Sequence, residues 1–160
     1  MAFVRAIKTA ERYLRGKAQV FFSSLLYADD RLLGKDAFCL QEVVEHMSPF
    51  QLQRALDVIF TVYRPKHVLI STPNREYNGK FGLIDGKMRH RDHKFEFGVK
   101  EAEEFRVLIQ RKYGYVGSRE WVGESYVPAP RLEPVPAGAT LTVSDEAVAP
   151  TFGFVFHRDF

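Results

Sequence analysis

With 160 residues, of which 46% are hydrophobic and 14% aromatic, the chain has enough apolar material for one globular domain, which excludes an intrinsically disordered tail. A formal charge of +3 is only mildly basic, so it permits a nucleic-acid partner without requiring one. No run approaches the roughly 18 to 20 apolar residues of a membrane-spanning helix, and a single cysteine cannot form a disulfide framework. We therefore predict no membrane partner, a cytoplasmic location, and a buried structural thiol at Cys39.

The first elements alternate between helix and strand. Apolar residues at helical spacing predict a helix over about 2–15, which Gly16 ends, rather than the unbroken apolar core of a signal peptide. Residues 19–23 read as a short strand, and 25–33 as a charged connection. The nearly continuous apolar run at 36–41 is typical of a strand buried on both faces of a parallel sheet.

The middle of the chain repeats this alternation. Ser48 followed by a proline is a helix start, and the apolar spacing beyond it predicts a helix over about 49–61. A strand is predicted at 66–71, a long loop at 79–98, and a helix at 101–113. Strands that alternate with helices predict an α/β fold, in which ligands bind outside the carboxyl ends of the strands.

The last part is less regular. Residues 115–127 are predicted to be extended, and the proline-rich segment at about 128–138 is predicted to be an insertion or linker. A last strand is predicted at 151–156. We predict a single domain over 1–160 that contains this insertion.

Two polar clusters about forty residues apart suggest one metal site. Glu42, Glu45 and His46 stand at i, i+3 and i+4, so on a helical turn they would share one face. Taken alone, these residues are as well explained by a solvated helix start, whose dipole favours acidic groups. A zinc peptidase is disfavoured because a glutamate stands where such motifs place the first histidine.

The second cluster, at 89–93, has two histidines that could complete the coordination of the first. Two carboxylates and two imidazoles suit a divalent ion such as Mn, Mg, Fe or Zn. Nearby aromatic residues interleave with basic ones, which suits phosphate contact and base stacking; these are Tyr77, Phe81, Phe95 and Phe97. The alternative is an exposed basic loop that contacts nothing. His67 and His157 lack such neighbours and are predicted to be structural.

Four segments in this order resemble the RNA 3'-terminal ribose 2'-O-methyltransferases, which cap small RNAs in plants and animals and mark repaired RNA in bacteria. The segments are residues 23–32, E-x-x-E-H at 42–46, T-P-N-x-E-Y-N within 71–78, and D-H-x-F-E within 89–97. The likeness covers roughly residues 3 to 115, with a weaker similarity at 150–156. The resemblance implies a Rossmann-like class I methyltransferase fold.

The resemblance also implies residue roles. Glu42, Glu45, His46 and His93 would be the metal ligands, with Mg or Mn bound; His46 and His93 would also be catalytic, and His90 a second choice as fourth ligand or proton acceptor. Ser24 would contact S-adenosylmethionine. Substrate contacts are expected from Thr72, Asn74, Tyr77, Asn78, Arg89 and Arg91. The metal would hold the 2' and 3' hydroxyls of an RNA 3' end while S-adenosylmethionine methylates the 2' oxygen, and RNA-repair or small-RNA pathway proteins would be partners.

Two departures from the family pattern shape these expectations. Phe97 stands where the family has tryptophan after D-H-x-F-E. No acidic, Gly-rich cofactor loop is found, so the resemblance implies a partial domain that lacks the first two strands, and we expect weak or no binding of S-adenosylmethionine. A non-catalytic, metal-dependent binder of RNA 3' ends and a structural α/β domain without metal remain as alternatives.

Overall fold

The four strands of the described residues form one mixed sheet. The computed structural model describes residues 21–83, 87–125 and 148–158. The strands are β1 (Ala37–Gln41), β2 (His67–Pro73), β3 (Val116–Val122) and β4 (Thr151–His157), in the order β1-β2-β4-β3. The helices are α1 (Pro49–Asp57), which continues as a π-helix over Val58–Tyr63, and α2 (Val99–Tyr113); short 3-10 helices span Asp30–Leu32, Val44–His46 and Arg75–Phe81.

The pairing combines parallel and antiparallel neighbours. β1 runs parallel to β2, with Ala37 opposite His67 and Gln41 opposite Ser71. β4 lies antiparallel between β2 and β3. The parallel pair places the carboxyl ends of β1 and β2 at the same edge, so the polar residues that follow the two strands meet there.

The core lies on one face of this sheet. Alternate residues of β2 and β4 are fully buried, and their side chains share a cluster with both helices; the strand members are Val68, Ile70, Phe152, Phe154 and Phe156. Each fully buried side chain of this size contributes about 1.5 to 3 kcal/mol by leaving water. This packing fixes the position of the strand ends that carry the polar clusters.

The structure corrects the prediction for β1 and its cysteine. Only Leu40 of β1 is buried, and Cys39 is exposed. Cys39 pairs in register with Leu69, which is itself 44% exposed, so among the described residues the second face of the sheet is open here. The apolar run at 36–41 predicted burial on both faces, whereas the strand alternates.

The helix predictions are close to the observed bounds. Ser48 caps α1 through a reciprocal pair of hydrogen bonds with Gln51, as the sequence suggested. The helical path continues to Tyr63, two residues further than predicted, and α2 begins at Val99 rather than 101. None of the helices within the described ranges is long and apolar enough to cross a bilayer.

Other element predictions have different outcomes. The strands at 66–71 and 151–156 are confirmed, and part of the extended segment forms β3. Residues 21–23 form no strand. The helix predicted at 2–15, the start of the strand predicted at 19–23, and the insertion at 128–138 lie outside the described residues.

Candidate metal centre

The first cluster follows directly from the end of β1. Glu42 has a positive φ of 52°, and its N–H donates to the Ser71 carbonyl at 3.1 Å, so it still pairs with β2 while the chain turns. The 3-10 helix then begins at Val44. This corrects the prediction that Glu42, Glu45 and His46 share one helical turn, because Glu42 precedes the helix.

Glu45 is a fully buried carboxylate with an unused oxygen. Its Oε2 accepts a hydrogen bond from the Thr72 hydroxyl at 3.1 Å. Its Oε1 is buried and has no hydrogen-bond partner among the described residues. Burial raises the pKa of Glu45, and the charge of Glu42 adds to that shift. A buried carboxylate oxygen without a donor is costly, and a cation or a proton would remove that cost.

Two histidines lie beside this oxygen. His46 Nε2 is 3.9 Å from Glu45 Oε1, beyond hydrogen-bond range, and the His46 and His93 ring centroids are 4.8 Å apart. Glu45, His46 and His93 each offer one ligand atom, and these atoms lie within 4.8 Å of one another. The structure therefore brings together three of the four predicted ligands, and one buried carboxylate with two imidazoles fits a divalent metal ion.

Main-chain contacts bring the second cluster to the first. The Lys94 N–H donates to the Glu45 carbonyl at 2.7 Å. The Arg75 N–H donates to the Phe97 carbonyl at 2.8 Å, and its guanidinium donates to the Glu96 carbonyl at 3.0 Å. These hydrogen bonds fix the His93 loop against the exits of both β1 and β2.

Glu96 is a site residue to which the sequence reasoning assigned no role. Its side chain is fully buried, and Oε1 lies 2.6 Å from His93 Nδ1 and 2.7 Å from the Arg89 N–H. Its Oε2 accepts from Asn78 Nδ2 at 2.6 Å. The available signal was its place three residues after His93 in D-H-x-F-E.

Glu42 and His90 lie next to the three-residue group but outside it. Glu42 is exposed, and its Oε1 accepts from the Ser71 hydroxyl at 2.9 Å. The His90 ring centroid is 6.2 Å from that of His46 and 5.6 Å from that of His93. Glu42 stays a predicted fourth ligand.

The two roles predicted for His90 stay predictions. In this structure its Nδ1 accepts from the Asp92 N–H at 3.2 Å, so in the neutral ring the other nitrogen carries the hydrogen.

Four of the six side chains predicted to contact substrate are buried and make contacts within the protein. Thr72 holds Glu45, and Asn74 donates to the Ala149 carbonyl at 3.0 Å while it accepts from the Glu76 N–H. Tyr77 and Asn78 are 4% and 3% exposed. In this structure these side chains support the site, and their contacts with substrate stay predictions.

The two arginines differ from each other. Arg89 is half-buried: its Nε donates to Asn78 Oδ1 at 2.6 Å, a second nitrogen donates to the Asn74 carbonyl, and its guanidinium lies over the rings of Tyr77 and Phe81. Burial lowers the pKa of Arg89. The Arg91 side chain is 90% exposed and is the better placed of the two for a phosphate.

Two clefts adjoin the candidate metal centre. A cleft of about 610 Å³ lies beside the His93 loop, and its wall includes Lys94, Phe95 and Phe97. A smaller cleft of about 240 Å³ is lined by Ser24 and His46, among others. Cofactor-sized ligands usually occupy about 300 to 1,000 Å³, so the described residues around Ser24 form only part of such a pocket. The cofactor contact at Ser24 stays a prediction.

Comparisons with known proteins agree with the resemblance. No family model matches the chain. A Mus musculus protein named small RNA 2'-O-methyltransferase is 35% identical over 96 residues, which are 60% of this chain and 24% of that protein. The chain spans about a quarter of the length of the curated relatives it matches.

Two crystal structures of the methyltransferase domain of a bacterial Hen1 protein cover most of the chain. CtHen1-CN is 33% identical, with a TM-score of 0.69, over 94% of this chain and 72% of that one. CtHen1-C is 35% identical, also with a TM-score of 0.69, over 95% and 67%. These matches confirm the predicted Rossmann-like α/β methyltransferase fold, and the chain belongs to the small RNA 2'-O-methyltransferase family.

Proposed function

We propose that this chain carries the metal and acceptor site of an S-adenosylmethionine-dependent enzyme that methylates the 2' hydroxyl of the 3'-terminal ribose of small RNA. The observation that carries this proposal is the buried Oε1 of Glu45, which has no hydrogen-bond partner in the described part of the chain and lies beside His46 and His93. The names of the relatives supply the reaction and the substrate class. The buried carboxylate oxygen supports the presence of a metal ion at this site.

Glu45, His46 and His93 would hold the ion, with Glu42 as the nearest further carboxylate. Nitrogen-containing ligands suit Mn better than Mg, which prefers oxygen ligands, so we propose Mn. When bound, such an ion lowers the pKa of a coordinated hydroxyl and orients it. Because the His46 side chain is 42% exposed while that of Glu45 is 1% exposed, the ribose would approach from the His46 side.

The remaining residues would bind and orient the RNA. Arg91 and Lys94 would contact phosphates, and Phe95 and Phe97 would offer rings for base stacking in the larger cleft. The methyl carbon would leave the sulfonium sulfur and bond to the 2' oxygen, whose proton would pass to solvent. The smaller cleft, which Ser24 and His46 line, would hold the methyl donor S-adenosylmethionine on the His46 side of the metal centre.

Binding to short RNAs that differ only at the 3' end tests this proposal. Fluorescence anisotropy with Mn²⁺ should give tighter binding to a 2',3'-diol than to a 2'-deoxy or 3'-phosphate end, and EDTA should abolish the difference. Glu45→Gln should abolish it too, whereas the exposed control Glu120→Gln should not. Equal binding of all three ends in Mn²⁺ would overturn the acceptor role.

Methyl transfer from labelled S-adenosylmethionine, measured on the same RNAs, separates an enzyme from a binder of RNA ends. Methylation of the diol alone would support the full proposal. Mn²⁺-dependent binding without transfer would leave this chain as an acceptor-binding unit. A cytoplasmic location, a single domain over 1–160, and RNA-repair or small-RNA pathway partners stay predictions.

A further inference from the structure

The buried carboxylate of Glu96 is surrounded by donors, in contrast to that of Glu45. Three hydrogen bonds reach its two oxygens, from the ring of His93, the N–H of Arg89 and the amide of Asn78. A buried charge is stable only when it is hydrogen-bonded in this way, so the surrounding residues define one orientation for it. Its side chain has no exposed surface, so it cannot contact RNA directly.

The residues around Glu96 are themselves fixed. Asn78 donates to Glu96 through Nδ2 and accepts from Arg89 Nε at 2.6 Å through Oδ1, so its amide cannot flip without the loss of both hydrogen bonds. Arg75 donates to the main-chain carbonyl of Glu96 at 3.0 Å. Hydrogen bonds to both the side chain and the main chain of Glu96 therefore fix the position of its carboxylate.

This arrangement determines the hydrogen position on His93. A carboxylate accepts hydrogen bonds, so the His93 nitrogen that faces Glu96, Nδ1, must donate. The other nitrogen of the neutral ring then carries a lone pair, as a metal ligand requires. His90, on the same loop, has the opposite arrangement, because its Nδ1 accepts from a main-chain N–H.

We propose that Glu96 is a positioning residue that fixes the Nδ1–H tautomer of His93 and thereby sets the affinity of the metal centre. The inference rests on the proposed function for the identity of the site, but the tautomer belongs to the metal-free protein. Loss of such an outer partner typically weakens metal binding by about 10- to 100-fold, because the ligand ring loses both its orientation and basicity. Glu96 would act through His93 and would not touch the ion or the ribose.

The ring nitrogens of His93, observed by NMR in ¹⁵N-labelled full chain without metal at pH 8, test this directly. Wild type should show the hydrogen on Nδ1. Glu96→Ala removes the acceptor, so it should populate the other tautomer and should weaken Mn²⁺ binding, measured by calorimetry, by about 10- to 100-fold. Glu120→Ala is the matched control on an exposed strand position, and it should change neither quantity.

The outcomes separate this inference from the proposed function. A hydrogen on Nε2 of His93 in wild type would overturn it, even if Glu96→Ala fails to fold. An unchanged tautomer and unchanged Mn²⁺ affinity in a folded Glu96→Ala protein would overturn it as well. The expected tautomer in a wild-type protein that binds no Mn²⁺ would instead refute the metal site and leave the positioning contact intact.

Discussion

Replacing Glu45 with glutamine should stabilise the metal-free protein while it abolishes metal binding. Glu45 is 0% exposed and its Oε1 has no partner among the described residues, so the ionised form of Glu45 is a buried charge with an unsatisfied oxygen. Glutamine has nearly the same shape and keeps an oxygen for the Thr72 hydroxyl. The cost of a buried unsatisfied group is about 1 to 3 kcal/mol and larger for a charged one, so removal of the charge should stabilise by about 1 kcal/mol.

The sign of the pH dependence follows from the raised pKa of Glu45. Burial favours the protonated form in the folded state, so the stability from this group is complete below the unfolded pKa and is lost as the pH rises through the folded pKa. The advantage of Glu45→Gln should therefore be absent in acid and present at pH 8.

Urea unfolding at pH 8 measures both effects. In EDTA the variant should be more stable than wild type by about 1 kcal/mol. With Mn²⁺ at about 100 times its dissociation constant, wild type should gain about 2.7 kcal/mol and the variant nothing, so the order should reverse. A variant that is less stable than wild type in EDTA would refute the reasoning, because Glu45 would then have a favourable partner in the absence of metal.

Two further predictions concern a helix contact and the RNA surface. Burial alone would raise the pKa of Asp57, but hydrogen bonds from Lys112 and Tyr113 outweigh it and lower that pKa. Asp57→Asn should therefore cost about 1 kcal/mol at pH 7 in urea unfolding, and the difference should shrink as the pH falls through the lowered pKa; a constant difference would contradict the assignment. Arg91→Ala should weaken RNA binding equally for all sequences and reduce the slope of log affinity against log salt concentration by about 1. The control Lys35→Ala, at an exposed position, should leave this slope unchanged. An unchanged slope with Arg91→Ala would show that Arg91 does not contact a phosphate.

The elements that could be predicted from sequence have strong local determinants. Ser48 has the side chain of a cap, and the helix it begins has a clear apolar period. The meeting of His46 and His93 was predictable because the residues after neighbouring parallel strands share one edge of the sheet. Cys39 was predicted wrongly because an apolar run does not indicate which face another element covers.

The buried polar residues could not be predicted because their partners are distant in sequence. Thr72 lies at the end of β2 and Asn74 follows that strand, where polar side chains are as common around ligands as in turns. Their burial depends on the Ala149 carbonyl, which accepts from Asn74, and on Glu45, which accepts from Thr72. No local pattern contains those contacts, so the sequence identified the region but not the direction in which each side chain points.

The two buried glutamates differ in their hydrogen bonds, which the sequence alone does not show. Glu45 and Glu96 each lie in a recognisable motif and each is buried, so residue type and burial do not indicate which of them would bind a metal. Glu96 has three donors on its two oxygens, whereas Glu45 has one donor and an oxygen with none among the described residues. A carboxylate that is fully hydrogen-bonded gains little from a cation and holds its neighbour in place, while one with an unused buried oxygen gains most from an ion. The count of donors therefore supports the proposals that Glu45 binds the metal and that Glu96 orients His93.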